Sequence, residues 1–314
     1  MALVESLYEE LLKIRLIEEE ISYRYSEEKM RCPTHIAIGQ EAAAVGVCAS
    51  LNKNDYAVSG HRAHHHYIAK GGNIKKLIAE IYGKETGCSG GKGGSMHLID
   101  TNVGFMGSTA IVAGTIPVGV GLSFSQKLKH SENITCIFFG DAAIEEGVFY
   151  ESVNFAILKN LPVLFVCENN QYALTTSYRN TTAVSQVSNR AGSYEIPGIT
   201  VDGNDSVEVY LVLREAVERA RSGQGPTLIE AKVTRMQGHY VADQQEYRTD
   251  RDSVAEKDPL PKLQQTLIDR GVLSQQGVID IEADADLQID AAGETMRAAP
   301  LLAPEVALQD VYAE

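Results

Sequence analysis

The 314-residue sequence predicts an α/β protein with a mostly parallel sheet, and three consecutive segments carry that prediction. The runs 134–139 and 161–167 are apolar and have the length of buried strands. Between them, segment 144–159 has the apolar spacing of a helix, which Asn160 and Pro162 bring to an end. A strand, a helix and a strand in this order form a parallel pair joined by a right-handed crossover.

Weaker patterns give the other elements. No internal repeat or low-complexity linker divides the chain, so we expect one domain over residues 1–314. Region 1–30 is predicted as a long helix, because apolar side chains recur along it at helical spacing. The remaining predictions are, in chain order, helices over 41–51 and 116–129, loops with one short helix after Ala173, a turn over 201–205, a helix over 206–221, a strand over 227–235, a long loop from 237 to 249, and a helical extension over 253–314.

Charge and cysteine content argue against several classes of function. With 28 basic and 42 acidic side chains, the formal net charge is −14, which disfavours nucleic acid and anionic membrane as partners. No apolar run reaches the length of a membrane span, and the acidic, amphipathic start resembles neither a signal peptide nor a transit peptide. The five cysteines show no CxxC spacing, so we expect a reduced chain in the cytoplasm.

Polar side chains follow both strands of the predicted strand–helix–strand unit. Asp141 comes directly after the first strand, and Asn170 follows the second. Parallel strands end at the same sheet edge, which is where open α/β sheets bind ligands. A carboxylate and an amide oxygen suit Mg²⁺ that also holds phosphate oxygens. The alternative for each residue alone is an Asp that caps a helix and an Asn in a turn.

These residues lie in a recognisable motif. Gly140-Asp141 and Glu168-Asn169-Asn170-Gln171-Tyr172 resemble the thiamine-diphosphate motif of the alpha subunits of 2-oxo acid dehydrogenases, the group that includes the pyruvate, branched-chain and acetoin enzymes. The resemblance implies a three-layer α/β fold with a mostly parallel sheet. It also implies that Asp141, the Asn170 carboxamide and the backbone carbonyl of Tyr172 bind Mg²⁺. In the same loop it places Ala142, where the family usually has glycine, and Ala143 at the cofactor.

A run of histidines and one arginine, Ser-Gly-His-Arg-Ala-His-His-His from residue 59, has two interpretations. Histidine is a frequent zinc ligand, but no cysteine or spaced second pair supports a zinc site. The other interpretation is anion binding through the planar fork of Arg62. The family resemblance implies His61 and Arg62 at the diphosphate and His64 facing the active site, while His65 and His66 are extra and receive no role.

Other segments resemble the same family. His35 precedes Gly39-Gln40-Glu41 at the position of a cofactor-contacting histidine, and His239 aligns with the second histidine of the family's His-Gly-His. The glycine-rich stretch 85–98 matches an ordered loop near the cofactor. In segment 104–121, the backbones of Ala110 and Val112 match cofactor contacts. The same resemblance implies that His64 and His239 transfer protons during catalysis.

The resemblance implies a thiamine-diphosphate- and Mg²⁺-dependent alpha subunit that works with a separate beta subunit as an α2β2 heterotetramer. The expected reaction is oxidative decarboxylation of a small 2-oxo acid, or cleavage of the acyloin acetoin, with a lipoyl-bearing acyltransferase as acceptor. Two alternatives stay open at this point: a split carboligase or transketolase-like enzyme that needs no lipoyl partner, and a non-catalytic nucleotide-binding protein. The absence of GxxxxGK[ST], and of GxGxxG after the first strand, weighs against the last.

Overall fold

A computed structural model describes residues 2–30 and 32–309. Within these residues the main sheet has six strands, all paired in parallel, in the order β2-β1-β3-β4-β8-β7, and a separate antiparallel hairpin pairs β5 with β6. The strands are β1 Tyr56–Ser59, β2 Phe105–Ser108, β3 Thr135–Gly140, β4 Val163–Asn169, β5 Tyr172–Ala173, β6 Thr176–Ser177, β7 Gly198–Asp202 and β8 Thr227–Lys232.

Ten α-helices are present in the described part of the chain, several of them joined by short 3-10 segments. They are α1 Ala2–Arg24, α2 Glu41–Ala49, α3 His64–Ala69, α4 Ile74–Ile81, α5 Thr115–Leu128, α6 Gly147–Leu158, α7 Ser206–Arg221, α8 Arg251–Val254, α9 Pro259–Asp269 and α10 Gln275–Ala298.

The sheet is the middle layer of three. Side chains alternate along β3, so Phe138 joins a core with α1, α2 and α7, whereas Ile137 and Phe139 join a core with α5 and α6. Helices cover both faces, and β4 is buried along its whole length. This double burial is the reason that the central strands appear in the sequence as continuous apolar runs. The predicted three-layer α/β fold is confirmed.

The central strand–helix–strand prediction is also confirmed. β3 and β4 pair in parallel, with Thr135 opposite Val163 and Gly140 opposite Glu168, and α6 connects them. The helix begins later than predicted, because a 3-10 segment from Asp141 to Glu145 precedes Gly147. The extended backbone of Glu146 separates the two, so Asp141 lies in a tight turn directly at the sheet edge.

Several predicted boundaries were wrong, and short elements were missed. The N-terminal helix ends at Arg24 rather than at residue 30, because a 3-10 turn follows and Glu28 takes a positive φ of 57°. The segment predicted as a turn over 201–205 contributes Val201 and Asp202 to the edge strand β7. β1, β2 and α3 are four to six residues long, too short for hydrophobic periodicity to identify.

The C-terminal region is helical, as predicted. α10 packs against α1 and α4 and buries Val278, Ala285, Ala292 and Met296. Residues 310–314, part of the predicted extension, lie outside the described residues. None of the helices among residues 2–30 and 32–309 combines the length and apolar character that a membrane span requires.

Candidate functional site

A cavity of about 410 Å³ opens at the carboxyl edge of the sheet. Loops after β1, β3 and β4 border it, together with the loop before α5 and the loop after β8. All the residues that the sequence predicts at the cofactor line this one cavity: His35, His61, Arg62, Ala110, Val112, Asp141, Ala142, Ala143, Asn170, Tyr172 and His239. Their separate roles stay predictions, but the fold brings together residues that are up to 204 positions apart (239 − 35).

Asp141 is the most deeply placed carboxylate of the turn after β3. Its side chain is 2% exposed, and its Oδ2 atom is buried without a hydrogen-bond partner. Burial raises the pKa of Asp141 to about 6, although hydrogen bonds from the backbone of Asp141 and Asn170 act in the opposite direction. A buried carboxylate oxygen that lacks a partner is costly, and a bound cation would remove that cost.

Asn170 is oriented by two contacts. Its Nδ2 donates to Gln40 Oε1 at 3.1 Å, and its Oδ1 accepts the backbone N–H of Tyr172 at 3.2 Å. The Gln40 side chain therefore holds the amide so that its oxygen stays on the Tyr172 side. The sequence analysis gave Gln40 no role. Its place in the Gly39-Gln40-Glu41 motif was the feature of the sequence that could have identified it. The Gln40 Nε2 atom is itself buried without a partner in the cavity wall.

Arg62 links two of the loops that border the cavity. Its side chain is 8% exposed, and its two terminal nitrogens donate to the backbone carbonyls of Ile36 and His239, the latter at 2.9 Å. Burial, together with the nearby Arg235 cation, lowers the pKa of Arg62 to about 10, which still leaves it protonated at neutral pH. The guanidinium is thus a fixed positive charge, and its two terminal nitrogens are already hydrogen-bonded to backbone carbonyls.

Three histidines form one wall of the cavity. The ring centroids of His35 and His61 are 4.6 Å apart, and those of His35 and His239 are 4.9 Å apart. Burial and the neighbouring Arg62 lower the pKa values of His35, His61 and His239 to about 2, 4 and 3. All three are therefore neutral at pH 7, and each offers one ring nitrogen as donor and one as acceptor. The His35 Nδ1 atom is buried without a partner.

The loop before α5 borders the cavity with small and apolar residues rather than with charged ones. Ala110 donates its N–H to His97 Nε2 at 3.4 Å, which ties this loop to the glycine-rich segment. Two residues of the cavity wall take a positive φ, Ala113 at 62° and Leu174 at 54°. Strained backbone of this kind is typical of ligand sites, where the surrounding structure compensates for it.

His64 does not line the cavity, which differs from the expectation that it faces the active site. It is completely buried; its Nδ1 lies 3.0 Å from Glu18 Oε2, and its Nε2 lies 2.8 Å from Ser95 Oγ. The physical reason is that His64 begins α3, which packs against α1, and the imidazole lies against Glu18 of that helix. This contact connects α1 to Ser95 in the glycine-rich loop, whose next residue, Met96, does line the cavity.

The residues of the cavity fit a diphosphate with a divalent cation. Asp141 Oδ2, Gln40 Nε2 and His35 Nδ1 are buried polar atoms without partners, and all three side chains border the same space. Such a set needs a polar ligand rather than an apolar one. Oxygen ligands from Asp141, Asn170 and the Tyr172 backbone are of the type that Mg²⁺ prefers.

Comparisons with known proteins show which family the chain resembles. The sequence model of the family described as "Dehydrogenase E1 component" matches residues 9–305. The alpha subunit of acetoin:2,6-dichlorophenolindophenol oxidoreductase from Bacillus subtilis is 39% identical over 312 residues, covering 98% of this chain and 92% of the relative. Its counterpart from Cupriavidus necator is 38% identical, covering 98% and 93%. The pyruvate dehydrogenase E1 component subunit alpha of Porphyra purpurea is 38% identical over 303 residues, covering 94% and 88%.

Identity at this level extends over nearly the whole chain, and the motif residues fall in one cavity. The chain therefore belongs to the dehydrogenase E1 component family, as an alpha subunit of the thiamine-diphosphate-dependent 2-oxo acid dehydrogenases.

Proposed function

We propose that this chain holds the diphosphate of thiamine diphosphate through Mg²⁺ and, together with a beta subunit, catalyses oxidative decarboxylation of a small 2-oxo acid or cleavage of acetoin. The acyl group then passes to a lipoyl-bearing acyltransferase. The observation that carries the proposal is the unpaired, buried Oδ2 of Asp141 beside Asn170 at the carboxyl edge of the sheet. The relatives named as pyruvate and acetoin enzymes support both substrate classes.

In this proposal Asp141, the Asn170 carboxamide and the Tyr172 carbonyl bind Mg²⁺, and the backbone around Ala142 and Ala143 approaches the diphosphate. Thiamine diphosphate supplies a carbon nucleophile at its thiazolium C2 when bound. The neutral rings of His61 and His239 can then donate or accept a proton at the cavity wall. Because the described chain places His64 away from the cavity, we assign it to positioning the glycine-rich loop rather than to proton transfer.

The proposal requires a beta subunit because thiamine diphosphate needs a carboxylate at the nitrogen of its aminopyrimidine ring, and none of the described cavity carboxylates is free for that task. In the described part of the chain, the carboxylates that line the cavity are Asp141 and Glu168. The Glu168 carboxylate is already within hydrogen-bond distance of His65 and His66, and Asp141 is assigned to the metal. Glu41, which follows Gly39-Gln40 in the motif near His35, is buried against Arg15 and the N–H of Gly39 and does not line the cavity. We also propose a cytoplasmic location, since the five cysteines are unpaired.

Asp141→Ala in the assembled αβ enzyme tests the metal assignment. We expect thiamine-diphosphate binding, measured by calorimetry with Mg²⁺ present, to be lost while circular dichroism stays unchanged. Asp202→Ala is the matched control, because Asp202 also ends a strand of the same sheet but lies outside this cavity. Unchanged cofactor affinity in Asp141→Ala would show that the assignment is wrong.

Assays of the wild-type assembly with pyruvate, branched-chain 2-oxo acids and acetoin identify the substrate. Each assay is run with and without a lipoyl acceptor, which distinguishes the dehydrogenase from the carboligase alternative.

A further inference from the structure

The N-terminal helix α1 carries one carboxylate at a position where its spacing calls for an apolar side chain. The helix packs a stripe of apolar residues into the core, among them Leu7, Leu11, Ile14 and Ile21. Position 18 is four residues after Ile14 and three before Ile21, so helical spacing places it on the same face. The residue there is Glu18, and it is completely buried. A buried carboxylate is costly, so its role must lie in the hydrogen bonds that it makes.

Each oxygen of Glu18 contacts a different segment of the chain. Its Oε1 accepts the backbone N–H of Ala37 at 3.1 Å, and its Oε2 lies 3.0 Å from Nδ1 of His64. None of the described residues of α1 borders the cavity. Glu18 therefore acts on the cavity only through the backbone of Ala37 and the ring of His64.

The Ala37 contact leads to the amide that is proposed to bind Mg²⁺. Residues 34–40 form neither helix nor strand, so their conformation depends on contacts of this kind. The carbonyl of Ala37 accepts the N–H of Gln40 at 2.8 Å, and Gln40 Oε1 accepts from Nδ2 of Asn170 at 3.1 Å. The carbonyl of Ile36, the preceding residue, accepts a hydrogen bond from Arg62. A shift of Ala37 would thus move the supports of Asn170 and Arg62 together.

The His64 contact leads to the glycine-rich loop. His64 Nε2 lies 2.8 Å from Ser95 Oγ, and both side chains are completely buried. The residue after Ser95 is Met96, which lines the cavity. One carboxylate on α1 therefore connects two segments, 34–40 and 91–96, that reach the cavity from different parts of the chain.

We propose that Glu18 is a positioning residue for the Mg²⁺–diphosphate site, acting through Ala37 on Gln40 and Asn170, and through His64 on the glycine-rich loop. This inference rests on the proposed function of the cavity. It gives Glu18 no contact with cofactor or substrate. Its consequence is that loss of the Glu18 hydrogen bonds weakens cofactor binding although every side chain of the cavity wall is unchanged.

Glu18→Leu and Glu18→Gln in the full αβ enzyme test the proposal. Leucine fits the apolar spacing of α1 but bonds to neither segment, so thiamine-diphosphate affinity, measured by calorimetry with Mg²⁺, should fall roughly ten-fold. Glutamine should restore most of the affinity, because its amide oxygen can accept from Ala37 and its amide nitrogen can donate to His64. Glu9→Leu, at an exposed position of the same helix, is the control and should bind normally.

A double-mutant cycle separates positioning from general loss of stability. Gln40→Ala removes the support of Asn170 directly, whereas Glu18→Leu removes it through Ala37. If both act on the same amide, the double variant should lose clearly less affinity than the product of the two separate fold-changes. Fold-changes that multiply fully would show that Glu18 does not act through Gln40, and would overturn the proposal.

Hydrogen exchange of the αβ enzyme without cofactor, followed by mass spectrometry, gives a measurement that does not depend on the proposed function. In Glu18→Leu, peptides over residues 34–40 and 91–96 should exchange roughly ten-fold faster, while those of α6, which packs in the other core, keep the wild-type rate. If Glu18→Leu does not fold, Ser95→Ala, which loses one hydroxyl, should speed exchange over 91–96 alone.

The two measurements distinguish the two proposals. Wild-type enzyme that does not bind thiamine diphosphate would refute the proposed function, and the exchange rates would still show whether Glu18 holds both segments. Where the wild type binds, equal affinity in Glu18→Leu would overturn the positioning role, even with faster exchange. Unchanged exchange over 91–96 in Ser95→Ala would also contradict it, because the link through His64 would then hold nothing in place.

Discussion

At the scale of single residues, Arg62 shows how one side chain can serve both structure and ligand. Its fork holds the carbonyls of Ile36 and His239, which lie on two different loops. The guanidinium thereby fixes His239 relative to His35 while its positive charge faces the cavity. The sequence predicted a bidentate phosphate contact for this fork. With both terminal nitrogens bonded to backbone, the remaining N–H groups are the ones available for phosphate.

Arg62→Lys tests this double role. Lysine keeps the charge but lacks the planar fork, so it cannot hold both carbonyls at once. We expect the cofactor affinity of the αβ enzyme to fall by ~1–3 kcal/mol, measured by calorimetry. Arg214→Lys, an exposed position on α7, is the control and should bind normally. Equal affinities in wild type and Arg62→Lys would exclude a role for the fork.

At the scale of elements, a buried carboxylate organises the glycine-rich loop. Glu80 on α4 accepts the backbone N–H groups of Ser89, Gly91, Gly93 and Gly94 at 2.6 to 3.1 Å. A segment with this much glycine has no regular structure of its own. The side chain of a neighbouring helix therefore sets its conformation, and the loop carries Met96 to the cavity wall.

Glu80→Gln should release this loop. The amide replaces one charged acceptor oxygen by an N–H donor that faces backbone N–H groups, so at least one of them loses its partner. We expect the free energy of unfolding to fall by about 1–3 kcal/mol and limited proteolysis to cut the segment 87–98 faster. Glu85→Gln changes an exposed neighbour and serves as the control. Unchanged proteolysis of Glu80→Gln would refute the organising role.

At the scale of the whole molecule, four buried or half-buried histidines predict loss of stability in acid. Burial holds the pKa values of His35, His61, His66 and His239 well below 6.5. Between about pH 4 and 6.5 the unfolded chain therefore binds more protons than the folded chain, and the free energy of unfolding falls as pH falls. Each pKa unit contributes about 1.4 kcal/mol. Asp141, with its raised pKa, acts in the opposite direction between pH 3.8 and about 6.

Urea denaturation at pH 7.5, 6 and 5 measures this effect. His61→Asn should lose less stability between pH 6.5 and 5 than wild type does, because one depressed histidine has been removed. His130→Asn removes an exposed histidine and should keep the wild-type slope. If all three proteins show the same dependence on pH, His61 does not contribute to acid sensitivity.

A second prediction for the whole molecule concerns its dependence on a partner. Because the cavity contains no free carboxylate for the cofactor ring among the described residues, the isolated chain should bind thiamine diphosphate weakly and show no decarboxylation. Addition of the beta subunit should restore both, measured by calorimetry and by release of carbon dioxide. Turnover by the purified chain alone would refute the two-subunit proposal.

The sequence by itself determined the fold class and the proximity of Asp141 and Asn170, because both depend on local patterns. β3, α6 and β4 are long apolar or periodic segments, and Asp141 and Asn170 follow two parallel neighbours, so their proximity follows from topology. Motif resemblance predicted the other residues at the cofactor, and all of them line the cavity, whereas His64, expected to face the active site, does not.

What only the tertiary structure decided was which histidine faces which neighbour. His64, His65 and His66 are consecutive in sequence, but the first turn of α3 sends His64 to Glu18 and Ser95 and sends the other two to Glu168. Glu168 is 102 residues from His66 along the chain, and no local spacing encodes that contact. Burial, which lowers the pKa of His66, is likewise a property of the packed layers and not of the segment that carries the side chain.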